Sequence, residues 1–161
     1  MPKLWIAAWL GCATAVTLAG GCAPLVKTPL VIVTEAAYHG NTAAVTEVSP
    51  SSYKQGTPPD HVHILPISRM SEQADPAAWF AEQVRFGIEQ LEARGHGCAA
   101  LLVDSIFSSD GIYADPAGFL KPAVELLQAR GGLFISDEVQ PGFGRTGQGM
   151  WGFSRHGVTP D

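Results

Sequence analysis

Leu133-Phe134-Ile135-Ser136 runs directly into Asp137-Glu138-Val139-Gln140, and a glycine-rich turn continues to Gly149. No other junction in the chain restricts the fold as much. A short apolar run bounded by turn residues reads as a buried strand. Acidic and amide side chains at its carboxyl end, opening into glycines, are how open α/β sheets present a ligand site. A second run has the same form: Ala99 to Val103 is apolar and ends at Asp104. In a parallel sheet both carboxylates would project into the crevice at the carboxyl edge. Acids at strand ends also serve as plain turn formers or caps, so the pair alone is a weak signal.

The rest of the chain alternates short apolar runs with amphipathic ones. Pro29 precedes Leu30-Val31-Ile32-Val33-Thr34, a β-branched run of strand length. Residues 36–42 read as a loop that opens a short helix, and residues 49–60, rich in Pro and Ser, as a further loop. His61 to Leu65 reads as a second strand. Asp75-Pro76 has the form of a helix start, with Asp at the cap and Pro at the first helical position. Trp79, Phe80, Val84, Ile88 and Leu91 then recur at helical spacing as far as Arg94-Gly95. Asp115-Pro116 is expected to cap another helix, with Phe119, Leu120, Val124, Leu126 and Leu127 apolar and an end near Arg130-Gly131-Gly132. Strands alternating with helices predict an α/β fold with a mainly parallel sheet, helices on its faces and right-handed crossovers.

Composition narrows the function classes. Apolar residues make up 46% and charged residues 16%, which suits a buried core and not wholesale disorder. A net charge of −5 and the lack of a basic, aromatic-laced stripe exclude nucleic acid as a partner. Cys12, Cys22 and Cys98 are too few and scattered for a disulfide framework, and none forms a zinc-type pair. Cys98 heads an apolar run and reads as an inert core thiol. His61, His63 and His96 have no metal-ligand spacing and read as structural.

Asp137-Glu138-Val139-Gln140, followed by Gly142-Phe143-Gly144-Arg145-Thr146-Gly147, resembles the strand that holds pyridoxal 5'-phosphate in class III aminotransferases. The likeness extends over residues 30–161. Tyr38-His39-Gly40-Asn41-Thr42 is similar to the family's aromatic-His-Gly loop. Val103-Asp104-Ser105-Ile106 stands where the family has Val-Glu-Pro-Ile. Asp115-Pro116-Ala117-Gly118-Phe119-Leu120 and the stretch from Trp151 to Asp161 continue the pattern. The resemblance implies part of the large domain of a fold-type I enzyme, spanning residues 28–161. It implies a transaminase that moves an amino group between an amino acid or amine and a 2-oxo acid, working as a homodimer in the complete enzyme. A phospho-lyase of the same family is the alternative, because the ring-binding residues do not set the reaction outcome.

The roles carried over are specific. Asp137 would pair with the protonated pyridine nitrogen, and Gln140 would donate to the phenolic oxygen. Val139 would press on one ring face, or else be plain core. Tyr38 would stack on the other face, with His39 beside it as support. Asp104 takes the place of a glutamate near the phenolic side, with a shorter side chain. Arg145 would meet a substrate carboxylate or pair with a local acid.

Two features stand apart. The lysine that forms the family's Schiff base is absent: none of Lys3, Lys27, Lys54 and Lys121 stands at the end of a candidate strand. The chain is therefore expected to be inactive alone, and Gly11 to Ala15 is a poor substitute for the family's phosphate loop. Residues 1–27 form a separate apolar segment, uncharged from Leu4 to Val26. It has the shape of a signal or membrane anchor, and the length to span. A buried helix and an aberrant start are the competing readings. The body reads as cytoplasmic, and a membrane enters only if that segment is a real anchor, in which case an exported, non-catalytic remnant is the rival function.

Overall fold

The structure, a computed structural model, describes residues 30–53 and 57–161. The expectations for residues 1–27 lie outside the described residues. Four strands form one parallel sheet: β1 (Leu30–Thr34), β2 (Val62–Leu65), β3 (Cys98–Asp104) and β4 (Leu133–Asp137), in the order β2-β1-β3-β4. Three α-helices accompany them: α1 (Ala43–Thr46), α2 (Pro76–Ala93) and α3 (Lys121–Ala129). The mainly parallel α/β sheet expected from the apolar runs is present. β3 and β4 pair from Ala100↔Leu133 to Asp104↔Asp137, so the two strand-end acids are direct neighbours.

The order places the changes of direction. From β2 to β3 and from β3 to β4 the chain moves the same way across the sheet, so two crossovers of one hand put α2 and α3 on one face. There they cover Leu30, Ile32, Leu101, Val103 and Phe134. Phe80, Phe107 and Phe119 fill the centre as a cluster, with centroids 5.3–6.1 Å apart. The step from β1 to β2 runs the other way, and its connection lies against Val33, Ala37 and Val62 on the opposite face. The chain thus diverges after β1 and β3, which opens a crevice at their carboxyl ends.

Local chemistry sets the helix limits. Asp75 accepts the Ala78 N–H at 3.0 Å, with Pro76 in the first turn, as its sequence predicts. Phe80, Val84, Ile88 and Leu91 are buried along one stripe. Both long helices end on a glycine with positive φ, Gly95 (+80°) and Gly131 (+79°). In each case the next N–H bonds back to a carbonyl of the last turn, His96 to Leu91 and Gly132 to Leu127.

The expected cap at Asp115-Pro116 is corrected. Helix α3 starts only at Lys121, with Leu120 at its cap and Pro122 in the first turn. Gly118 takes φ +87°, which interrupts any helix begun at Pro116. Asp115 instead pairs with the Arg155 guanidinium, whose Nε also donates to the Ala114 carbonyl at 2.7 Å. The long-range partner won over the local cap.

One buried group ties three segments together. His156 is 1% exposed. Its Nε2–H donates to the Ser105 carbonyl at 2.8 Å, Nδ1 accepts the Gly118 N–H at 3.2 Å, and the ring stands edge-on to Phe119. Burial above all lowers its pKa, helped by Arg155; the Ser105 carbonyl and Glu138 oppose the shift.

Two outcomes follow from this packing. Asp75→Ala is expected to cost about 1 kcal/mol. Asp115→Ala, which breaks only a pair with an exposed acid, should change stability by roughly 0.5 kcal/mol or less; urea unfolding of both variants reads the contrast. His156 is held neutral in the fold, while the unfolded chain takes up its proton below about pH 6.5. Stability should therefore fall as pH drops below that value. The decline between pH 7 and 5 should be shallower in His156→Gln, as thermal melts at both pH values would show.

Candidate functional site at the carboxyl edge of the sheet

Asp137 ends β4 and reaches across to the loop after β1. His39 Nδ1–H donates to its Oδ2 at 2.7 Å, and the Val139 N–H donates to Oδ1 at 3.0 Å. The His39 side chain is 4% exposed and that of Asp137 14%. Burial pushes the Asp137 carboxyl upward, but the His39 and Val139 hydrogen bonds and the imidazole's charge outweigh it. The net pKa lies below the usual carboxylate value. Asp137 is thus an ionised carboxylate at neutral pH, in a half-buried place. His39 is held in turn: Ser49 Oγ, fully buried, accepts its backbone N–H at 2.9 Å and donates to the Val45 carbonyl. The ring's Nε2 is buried with no hydrogen-bond partner among the described residues.

The other expected site residues are placed unequally. Tyr38 precedes His39 and is 47% exposed. Val139 is 91% exposed, which removes the reading of it as core. Gln140 beside it is exposed as well. The His39–Asp137 bond therefore brings an open aromatic and an open aliphatic side chain to the same edge on two different segments.

Asp104 does not project into the crevice. Its carboxylate turns back on its own loop, accepting the Ile106 N–H at 2.9 Å, the Ser108 N–H at 3.0 Å and the Ser108 hydroxyl. The turn-former reading holds here, because the shorter side chain lies within reach of these donors. Arg145 is exposed and forms no ion pair among the described residues, which leaves the local-acid alternative without an acid.

Sequence reasoning missed three acids at this edge. Glu35 accepts the Ile67 and Ser68 N–H groups, tying the end of β1 to that of β2. Asp110 accepts the Thr34 hydroxyl at 2.6 Å and the Ala36 N–H at 2.7 Å, bridging the crevice from the loop after β3. Burial raises its pKa first, and the charges of Glu35 and Asp104 add to that. Glu138 accepts from Ser136, Gly152 and Phe153. Only the position of Glu35 and Glu138 just past strand ends could have signalled them; Asp110 carries no local signal. Cys98 sits apart, its thiol pushed up to about 11 mainly by burial, an inert group as its apolar run implies. His61 faces Glu47 at 3.2 Å, and the His63 ring lies against Gly87.

Lys121 is the one lysine among the described residues; it heads α3 and faces Glu125 at 3.9 Å. The described residues thus supply the carboxylate and its support but no amine at the crevice.

Comparison with known proteins identifies the family. The sequence model of the family described as Aminotransferase class-III matches residues 14–161. A protein of Drosophila melanogaster named "Alanine--glyoxylate aminotransferase 2-like" is 35% identical over 143 residues, covering 81% of this chain and 29% of its own length. Among solved structures, a phospholyase from Arthrobacter in complex with phosphoethanolamine superposes with a TM-score of 0.70 at 37% identity, over 81% of this chain and 32% of that one. An (S)-enantioselective omega-transaminase from Thermomicrobium roseum gives a TM-score of 0.68 at 25% identity, over 82% of this chain and 31% of its own. The chain spans under a third of the length of these relatives. With the family match running through the whole described body and the fold superposing on a solved relative over 81% of the chain, the chain belongs to the class III aminotransferases, a family of pyridoxal 5'-phosphate enzymes with the type I fold.

Proposed function

We propose that this chain carries the ring-binding part of a pyridoxal 5'-phosphate-dependent transaminase acting on an amino acid or amine and a 2-oxo acid. The observation that carries the reading is Asp137: an ionised carboxylate, oriented by His39 at the carboxyl edge of a parallel sheet, beside exposed Tyr38 and Val139. This donor set suits a flat heterocycle with a protonated ring nitrogen. When bound, the cofactor supplies an electron sink for the bond broken at the substrate's α-carbon. Asp137 would hold the proton on the ring nitrogen, and the His39 Nδ1–H keeps that carboxylate charged and aimed. Tyr38 and Val139 would cover the two ring faces and exclude water, and Gln140 would donate to the phenolic oxygen. Asp104 is engaged in its own turn, so we assign it no contact with the ring. A homodimer of the complete enzyme, with the site shared between subunits, belongs to the same proposal.

A second reading is favoured by two observations. Arg145 is an exposed cation without an acid partner among the described residues, and the Arthrobacter neighbour is a phospholyase in complex with phosphoethanolamine. A phosphorylated amino-alcohol substrate fits both, since a guanidinium recognises phosphate through paired hydrogen bonds.

The 161 residues alone should bind the cofactor weakly at best, without turning over either substrate class, because no described amine reaches the crevice. Absorbance titration with pyridoxal phosphate should show saturable binding, and Asp137→Asn should weaken it about tenfold or more, the worth of one hydrogen bond to a charged group. Borohydride treatment followed by peptide mass analysis should find no lysine carrying the cofactor; a labelled lysine at Lys3, Lys27, Lys54 or Lys121 would overturn the inactivity. Release of inorganic phosphate from phosphoethanolamine, or of a 2-oxo acid from an amine donor, would overturn it equally and decide between the two reactions.

A further inference from the structure

Asp137 and Glu138 are consecutive, and successive side chains along an extended chain point to opposite sides. Asp137 faces His39. Glu138 faces the other way, into a ring of donors supplied by a segment fourteen and fifteen residues further on. Its Oε2 accepts the Gly152 N–H at 2.6 Å, and its Oε1 accepts the Phe153 N–H at 3.0 Å and the Ser136 hydroxyl at 2.8 Å. One carboxylate thus joins the start of the 139–151 loop to its end.

The surroundings are built for that closure. Gly152 is buried, and a Cβ there would stand 2.4 Å from Ser105 Oγ and 2.5 Å from Pro141 Cβ, so only glycine fits against the clip. Inside the loop the Gly142 N–H returns to the Glu138 carbonyl at 3.1 Å, and the Gly144 N–H bonds to the Met150 carbonyl at 3.0 Å. Phe143 and Trp151 stack edge to face with centroids 5.3 Å apart. The loop has the closed form of a compact surface loop with its ends drawn together.

We propose that Glu138 is a positioning residue for the cofactor site: by clipping both ends of the 139–151 loop it fixes Val139 and Gln140 where the ring would lie. The proposal rests on the cofactor reading above. A glutamine could not replace it, because three donors converge on the two oxygens and an amide nitrogen would meet an N–H with an N–H. The clip and the Asp137–His39 pair have different partners, so loop order and ring protonation answer to different residues.

Glu138→Gln, compared with Asp137→Asn in the full chain, tests this through three measurements. Amide hydrogen exchange in Glu138→Gln should quicken about tenfold across 139–151, the worth of one charge-assisted bond, with β1 and β3 unchanged. Pyridoxal phosphate affinity should fall by a similar factor, while the pH dependence of the bound cofactor's absorbance stays as in the native chain. Asp137→Asn, which also weakens binding, should differ in altering the pH dependence while leaving loop exchange beyond Val139 as in the native chain. Native exchange in the loop of Glu138→Gln, or a loosened loop with native affinity, overturns the proposal. Should Glu138→Gln fail to fold, Glu138→Asp keeps the charge with a shorter reach and should show the same loosened loop and weakened affinity. Failure of the native chain to bind the cofactor sinks the functional reading, and loop exchange in the variant then decides the clip alone.

Discussion

Backbone donors released where parallel strands end must find acceptors, and in this molecule carboxylates supply them. Glu35 takes two N–H groups from the end of β2, Asp104 two from its own turn, Asp110 one at the end of β1, and Glu138 two from the 152–153 segment. These bonds pin the connections at one edge of the sheet and give the crevice its walls. Asp137 uses the same device for the Val139 N–H, but its second oxygen meets a side chain from another strand's loop. Among these acids it is the one held by an imidazole. The imidazole helps to offset the cost of burial, which for Asp110 the Thr34 and Ala36 hydrogen bonds offset only in part and nearby charge increases.

The same principle explains how a crowded acidic edge can exist. Most of these carboxylates are consumed in neutral or charge-assisted hydrogen bonds to the backbone, where the partner N–H groups carry partial positive charge. The crevice between the divergent connections of β1 and β3 then receives one oriented carboxylate, two uncovered side chains and a loop closed by Glu138. Packing on the helix-covered face supports this edge. The Phe80, Phe107 and Phe119 cluster and the stripe of α2 hold the strands in register, and register is what sets Asp104 against Asp137.

Much of the fold was legible in residues 30–161. Apolar runs of four to seven residues, bounded by glycine, proline and acids, gave all four strands, and the Asp75-Pro76 signature gave the start of α2. The parallel arrangement followed from strands apolar throughout. Asp115-Pro116 misled because a dipeptide signature competes with long-range partners: Arg155 claimed the carboxylate and Gly118 broke the turn. Asp104 misled for the opposite reason. Its local donors at 106 and 108 were close enough to capture a short side chain that the strand-end pattern would have sent outward.

The sequence by itself determined the strands and the parallel sheet, which follow from hydrophobic period and local residue order, and its family resemblance singled out Asp137 as the acid expected at the site. Tertiary structure alone decided which acids are structural. It paired His39 with Asp137 across 98 residues, brought Asp110 to β1 across more than 70, and folded Gly152 back onto Glu138. No local pattern encodes such contacts: each depends on strand order and on the direction of the crossovers, and these exist only once the sheet has formed.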